Sequence, residues 1–181
     1  MPLSGRVATE RIADLCRIRS CPPSKAEVLF RLVRLLKPQR LLELGACLGV
    51  SAGYLASALV LNGSGSLVTV EGCPALAAWA ARGLEGLGTV TVETGRFDER
   101  LPEILARGPL DFAFLDGHHE REATLHYFDA IAAAAADDAA IVLDDIDWSA
   151  GMRKAWLALR QHVRVSAHTE IEGLGICFTM R

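Results

Sequence analysis

Residues 41–53 read LLELGACLGVSAG, and this stretch decides the fold. Leu41, Leu42, Glu43 and Leu44 run into Gly45, and Gly49 and Gly53 follow at four-residue spacing as a helical segment begins. A buried strand that ends in glycine and leads into a helix presents backbone N–H groups at the carboxyl end of the strand, where open α/β sheets bind ligands. The spacing is not the G-x-G-x-x-G of dinucleotide binding, and no Lys-Ser/Thr pair follows as it would in a P-loop. The stretch therefore predicts a loop for a nucleoside-like cofactor, with Glu43 just ahead of its first glycine.

Outward from this loop, short apolar strands alternate with helical segments. Strands are predicted over 41–44, 66–71, 89–93, 111–115 and 139–143, with helices near 50–61, 74–87, 99–107 and 121–136 between them. Such alternation implies a parallel sheet. The alanines at 132–136 read as part of the last of these helices, because alanine has the highest helix propensity. The end of the chain differs. After a helix near 151–162, two strands over 163–171 and 174–180 are joined only by Glu172-Gly173, too short for a crossover, so they must pair antiparallel. Upstream, Ser24-Lys25-Ala26-Glu27 has the S-x-x-E form of a capping box and predicts a helix start, with Val28, Leu29, Leu32, Val33 and Leu36 on one face until Pro38 ends it. Weak helical character precedes it over 9–19.

A chain of 181 residues fits one domain, with 1–38 as an arm and helix and 39–181 as the α/β core. Net charge is −3 with a pI near 5.9 and no basic cluster, which argues against a nucleic-acid partner and for a small-molecule substrate. Residues 44–70 carry no charge, a length that could span a membrane, but Gly45, Gly49, Gly53, Asn62, Gly63 and Gly65 divide it into separate elements. No membrane association is expected. Arg6, Glu10 and Arg11 are not followed by an apolar core, so no secretory signal is expected either. Cys16, Cys21, Cys47, Cys73 and Cys177 are odd in number and lack a C-x-x-C pair; they read as reduced thiols of a cytoplasmic protein.

Five stretches fall in order on successive strand ends: LLELGACLG, TVEGCP at 69–74, TGRFDERLP at 94–102, FLDGHHEREAT at 114–124 and LDDIDWSAGM at 143–152. Together they resemble the class I S-adenosylmethionine-dependent methyltransferases, in particular the small bacterial O-methyltransferases. The resemblance covers the whole chain. It implies a Rossmann-like, doubly wound, seven-stranded and mostly parallel sheet, with an antiparallel C-terminal hairpin whose last strand inserts beside the fifth. It also implies S-adenosylmethionine as cofactor and methyl transfer to a hydroxyl of a small molecule. The cofactor positions it carries over are Glu43, Gly45, Ala46, Gly49 and Ser51 in the loop and Glu71 and Gly72 after the second strand. Arg96 and Phe97 follow after the third, and Asp116 after the fourth. Glu71 stands where an acid grips the ribose hydroxyls. Phe97 stands where the family covers adenine, and reads equally well as core.

Asp116 ends the fourth strand and Asp144-Asp145 end the fifth; neighbouring strand ends lie ~5 Å apart, so these carboxylates converge. Two readings stand. In the cation-dependent relatives, acids at these positions hold a hard, oxygen-preferring ion such as Mg²⁺ beside the substrate hydroxyl. In the other reading, Asp116 holds the cofactor amino group and Asp144 or Asp145 caps the next helix without a metal. His119, three residues after Asp116, occupies the D-x-x-H position that related O-methyltransferases use as base, and imidazole titrates near neutral pH. His118 competes for that role. Trp148 and Trp156 read mainly as packing for the final helix, with a pocket wall as the second reading of Trp148. The resemblance departs at Ala46-Cys47, where the family places Thr-Ser, and at Asp147, where it places His. A covering segment, from the amino-terminal arm or from the neighbouring subunit of a homodimer, is expected over the site. Two rival functions remain: a cofactor-binding protein of this fold without catalysis, and an NAD-dependent oxidoreductase, against which the glycine spacing argues.

Overall fold

The computed structural model describes residues 11–180. Two helices lead in, α1 (Ile12–Arg19) and α2 (Pro23–Leu36); Thr9 and Glu10, which the expected first helix included, lie outside the described residues. The alternation then follows as β1 (Arg40–Leu44), α3 (Val50–Asn62), β2 (Ser66–Glu71), α4 (Pro74–Gly83), β3 (Val90–Thr94), α5 (Phe97–Leu105), β4 (Leu110–Leu115), α6 (Arg121–Ala134) and β5 (Ala135–Leu143). It ends with α7 (Ala150–Leu159), β6 (Val165–Ile171) and β7 (Leu174–Thr179).

The seven strands form one sheet in the order β3-β2-β1-β4-β5-β7-β6. β1 to β5 are mutually parallel, and β7 lies antiparallel between β5 and β6. Because side chains alternate across a strand, β4 divides its residues between two cores. Phe112 and Phe114 face Leu29 and Val33 of α2 and Leu55 and Leu59 of α3. Ala113 and Leu115 face Leu101 and Ile104 of α5, Phe128 and Ile131 of α6, and Trp156 of α7. Covering both faces in this way is what a parallel sheet requires.

Two local expectations are corrected. The capping box does not form: α2 starts at Pro23, whose fixed φ suits the first helical position, and no side chain caps it. Ser24 thus lies inside the helix, and Glu27 pairs instead with Arg31 at 2.6 Å. The alanine run is not helical to its end. α6 stops at Ala134 and β5 begins at once, because the Arg164 guanidinium donates to the carbonyls of Ala132 (3.2 Å) and Ala135 (3.0 Å), and the buried Thr179 hydroxyl donates to that of Ala136 (2.7 Å). Tertiary hydrogen bonds outweigh the intrinsic helix propensity here.

The five cysteines are unpaired. Among the described residues no helix is long and apolar enough to cross a membrane.

Candidate functional site

Parallel register brings the carboxyl ends of the strands to one edge, and ladder bonds continue past them. The N–H of Gly45 donates to Val70, that of Asp116 to Leu44, and that of Asp144 to Leu115, each at 2.9 Å. Gly45 adopts φ +110°, and a Cβ there would collide with the carbonyl oxygen of Asp116, so glycine is what lets the end of β1 lie against the end of β4. The chain then turns through Gly49, in the left-handed conformation at φ 82°, into α3.

Glu71, at the end of β2, holds this loop. Its Oε2 accepts the N–H of Cys47 and its Oε1 that of Cys73, both at 2.8 Å. Each carboxylate oxygen has two acceptor sites, so both retain one for a ligand. Glu43 lies behind the loop, fully buried, and accepts a hydrogen bond from the Thr69 hydroxyl. Burial pushes its carboxyl up to about 7, against the pull of hydrogen bonding from Ser51 and Thr69.

A cavity of about 690 Å³ opens along this edge, within the size range of small-molecule sites. Of the expected cofactor residues, Gly45, Glu71, Gly72, Arg96, Phe97 and Asp116 line it. Glu43, Ala46, Gly49 and Ser51 do not: the first, second and last are buried in the underside of the loop and the start of α3, and Gly49 packs against Ala80. Cys47, not Ala46, reaches the cavity. Phe97 both lines the cavity and packs in the core, its ring edge-on to His118 (5.4 Å) and Tyr127 (5.7 Å). Gly117 is small to admit that ring, which a Cβ would approach to 2.6 Å.

At the other end of the cavity stand His119, Asp116, Asp144 and Asp145. Nε2 of His119 lies 3.8 Å from Asp116 and 4.0 Å from Asp145. His118 also borders the cavity, but its Nδ1 lies 2.9 Å from the Tyr127 hydroxyl, whereas His119 faces the carboxylates. Burial, followed by the charges of Asp144, Glu43 and Asp145, raises the carboxyl of Asp116 well above the usual range.

The carboxylates do not form the expected cation cage. Nζ of Lys25, from α2, donates to Oδ1 of Asp144 and, at 2.7 Å, to Oδ1 of Asp145, and so takes the position between them. Among the described residues no group of three or more His, Cys, Asp or Glu side chains is arranged to hold a metal ion. Burial works to lower Lys25, but its bonds to the two carboxylates outweigh that and hold it above the usual lysine value. Burial likewise raises Asp144, with Lys25 pulling it back; a second donor, the N–H of Asp145 at 2.6 Å, supports its ionised form. The helix-capping alternative for these acids is not formed either, since Ser149 caps α7 by accepting the N–H of Met152 at 3.1 Å.

The segment from Ile18 to Pro22 closes one side, from the amino-terminal arm that was one of the two expected covers. The place of Lys25 in the acidic cluster was not foreseen in the sequence. Trp148 takes its second reading, as a wall: it is 70% exposed at the mouth, with its ring 6.0 Å from that of His119, whereas Trp156 is fully buried as expected.

This strand order, with a glycine loop after β1, an acid after β2 and a cavity across the carboxyl edge, defines the class I methyltransferase architecture. The family model described as a methyltransferase domain matches residues 42–146, more than half of the chain, and the chain belongs to that family. A catechol O-methyltransferase of Niastella koreensis is 33% identical over 102 residues, covering 54% of this chain and 45% of that protein; the chain thus matches somewhat less than half the length of this curated relative. Among solved structures, the O-methyltransferase TomG of Streptomyces achromogenes, involved in tomaymycin synthesis and solved with SAM, superposes with a TM-score of 0.77 at 24% identity, covering 97% of this chain and 92% of that one. An O-methyltransferase from Bacillus cereus, solved in complex with SAH, gives 0.76 at 23%, covering 92% and 85%. These two likenesses establish the fold.

Proposed function

We propose that the protein methylates a hydroxyl of a small molecule, with S-adenosylmethionine as methyl donor. The observation that carries this reading is the placing of His119, between Asp116 and Asp145, on the same cavity as Gly45 and Glu71. The catechol O-methyltransferase relative supports oxygen as the acceptor atom.

The residues fit the cofactor. Glu71 keeps acceptor sites toward the cavity, Gly45, Gly72 and Gly95 leave room along it, and Phe97 offers a flat apolar wall. When bound, the cofactor supplies a sulfonium-activated methyl group, which passes to the acceptor oxygen as its bond to sulfur breaks. The work left to the chain is to hold the acceptor in line and to remove its proton. His119 takes that proton; its Nε2 faces Asp116 at 3.8 Å and Asp145 at 4.0 Å on the cavity wall. Trp148 provides an exposed aromatic face at the mouth for an apolar or aromatic acceptor. A divalent ion does not fit: the Lys25 ammonium already holds one oxygen each of Asp144 and Asp145, among the described residues no group of three or more His, Cys, Asp or Glu is arranged to ligate one, and no step is assigned to it.

In this reading residues 1–181 form one catalytic unit, with the segment at 18–25 covering the site from within the chain. Exposed Leu35, Val60 and Leu61 on α2 and α3 support a homodimer, and the unpaired thiols support a cytoplasmic setting.

The test is transfer of labelled methyl from S-adenosylmethionine to a panel of catechols and other hydroxylated aromatics. The wild type is expected to label at least one acceptor. His119→Ala should lose on the order of 10²-fold or more in kcat while binding S-adenosylhomocysteine unchanged. Full turnover in His119→Ala would remove the histidine from the mechanism. Cofactor binding with no acceptor labelled would favour a binding protein without catalysis.

A further inference from the structure

Lys25 stands where helix electrostatics oppose it. It lies in the first turn of α2, at the positive end of the helix dipole, in a turn that contains no acid. Its side chain is nonetheless only 13% exposed, running to the end of β5, where Nζ donates to Asp144 and Asp145. Its stem lies close beneath the turn between β6 and β7, since a Cβ at Gly173 would meet Cε and Nζ at 3.7 and 3.8 Å. An ammonium group has three donors and no acceptor. Two are engaged by the carboxylates. Among the described residues the third has no protein partner, and Lys25 borders the cavity shared with His119.

A hard divalent cation here would have to draw on the same two carboxylates, and the ammonium they already hold repels it at short range. We propose that Lys25 replaces the divalent cation: its ammonium keeps metal away from the Asp144–Asp145 pair and offers its third N–H to the acceptor oxygen as that oxygen loses its proton. The catalytic half of this proposal rests on the methyl-transfer reading; the exclusion of metal does not. In the balanced step, the acceptor hydroxyl gives its proton to His119, and the Lys25 N–H stabilises the oxyanion. An oxygen lone pair then forms the new C–O bond while the C–S electrons leave with sulfur.

Mn²⁺ titration followed by electron paramagnetic resonance tests the exclusion directly. The wild type is expected to leave Mn²⁺ free, Lys25→Met to gain one site, and Lys25→Met/Asp145→Asn to lose it again. Stoichiometric Mn²⁺ binding by the wild type, abolished by Asp145→Asn, would overturn the proposal. So would a Lys25→Met protein that binds S-adenosylhomocysteine normally yet leaves Mn²⁺ free. The wild-type titration stands whether or not the variant folds. With a methylated acceptor in hand, EDTA should leave wild-type turnover unchanged. Lys25→Met should lose ~10²-fold in kcat, the scale of a missing oxyanion donor, and Mg²⁺ should restore activity in this variant alone. EDTA-sensitive wild-type turnover would refute the catalytic half. Should no acceptor be labelled at all, the methyl-transfer reading fails, and the Mn²⁺ result still decides the exclusion.

Discussion

Glu43 illustrates how a single buried carboxyl ties the site to stability. Its carboxyl is raised from 4.5 to about 7 by burial, so between these values the folded chain holds a proton that the unfolded chain releases. Where the native state binds more protons, stability falls as pH rises. Denaturant unfolding of the wild type between pH 5 and 8 should therefore include a loss of roughly 3 kcal/mol that Glu43→Gln lacks. Parallel profiles for the two proteins would count against a buried, proton-holding Glu43. Gly45 sets a harder limit: with φ at +110° and the Asp116 carbonyl in the way, Gly45→Ala is expected to lower stability and abolish S-adenosylhomocysteine binding. That Gly45, Glu71, Asp116 and His119 would share one edge was legible from sequence, because each lies at or within a few residues of a strand end. Lys25 was not, since its partners lie 119 and 120 residues away and pairing at that separation leaves no local pattern. The one available signal was a lysine in a first helical turn without acids, which the apparent capping box disguised.

At the scale of elements, hydrophobic alternation and glycine placement located every strand, while the boundaries were decided by tertiary bonds that no window of sequence contains. The junction of α6 and β5 is the clearest case. A polyalanine segment changes from helix to strand without a loop because Arg164 and Thr179, both far along the chain, collect its carbonyls. Thr179 also accepts the N–H of Ala139 at 3.0 Å, so its hydroxyl joins both ends of the bulged segment. Thr179→Val keeps the shape and leaves these groups unpaired; the expected cost is about 1–3 kcal/mol, measurable as a lower unfolding midpoint at unchanged slope. A neutral result would mean that water or the backbone satisfies them. Sequence alone leaves Trp148 between packing and pocket wall for a related reason: a tryptophan just ahead of a helix looks like packing, and only the position of the β5 end shows that it stands at the mouth of the cavity.

For the whole molecule, the sheet order and the two-sided core follow from the alternation of strands and helices, and they suffice to place a cofactor loop, an acid and a histidine on one edge. The cavity is completed by the segment ahead of α2, whose role no strand-end motif could announce. Methyl transfer requires that edge to be a cofactor site. Calorimetric titration of the wild type with S-adenosylhomocysteine, beside Glu71→Ala and with NAD⁺ as control, tests this most directly. The expected result is one micromolar site in the wild type, at least tenfold weaker in Glu71→Ala, with no heat from NAD⁺. A folded wild-type protein that binds no S-adenosylhomocysteine, or binds it equally well without Glu71, would contradict the account.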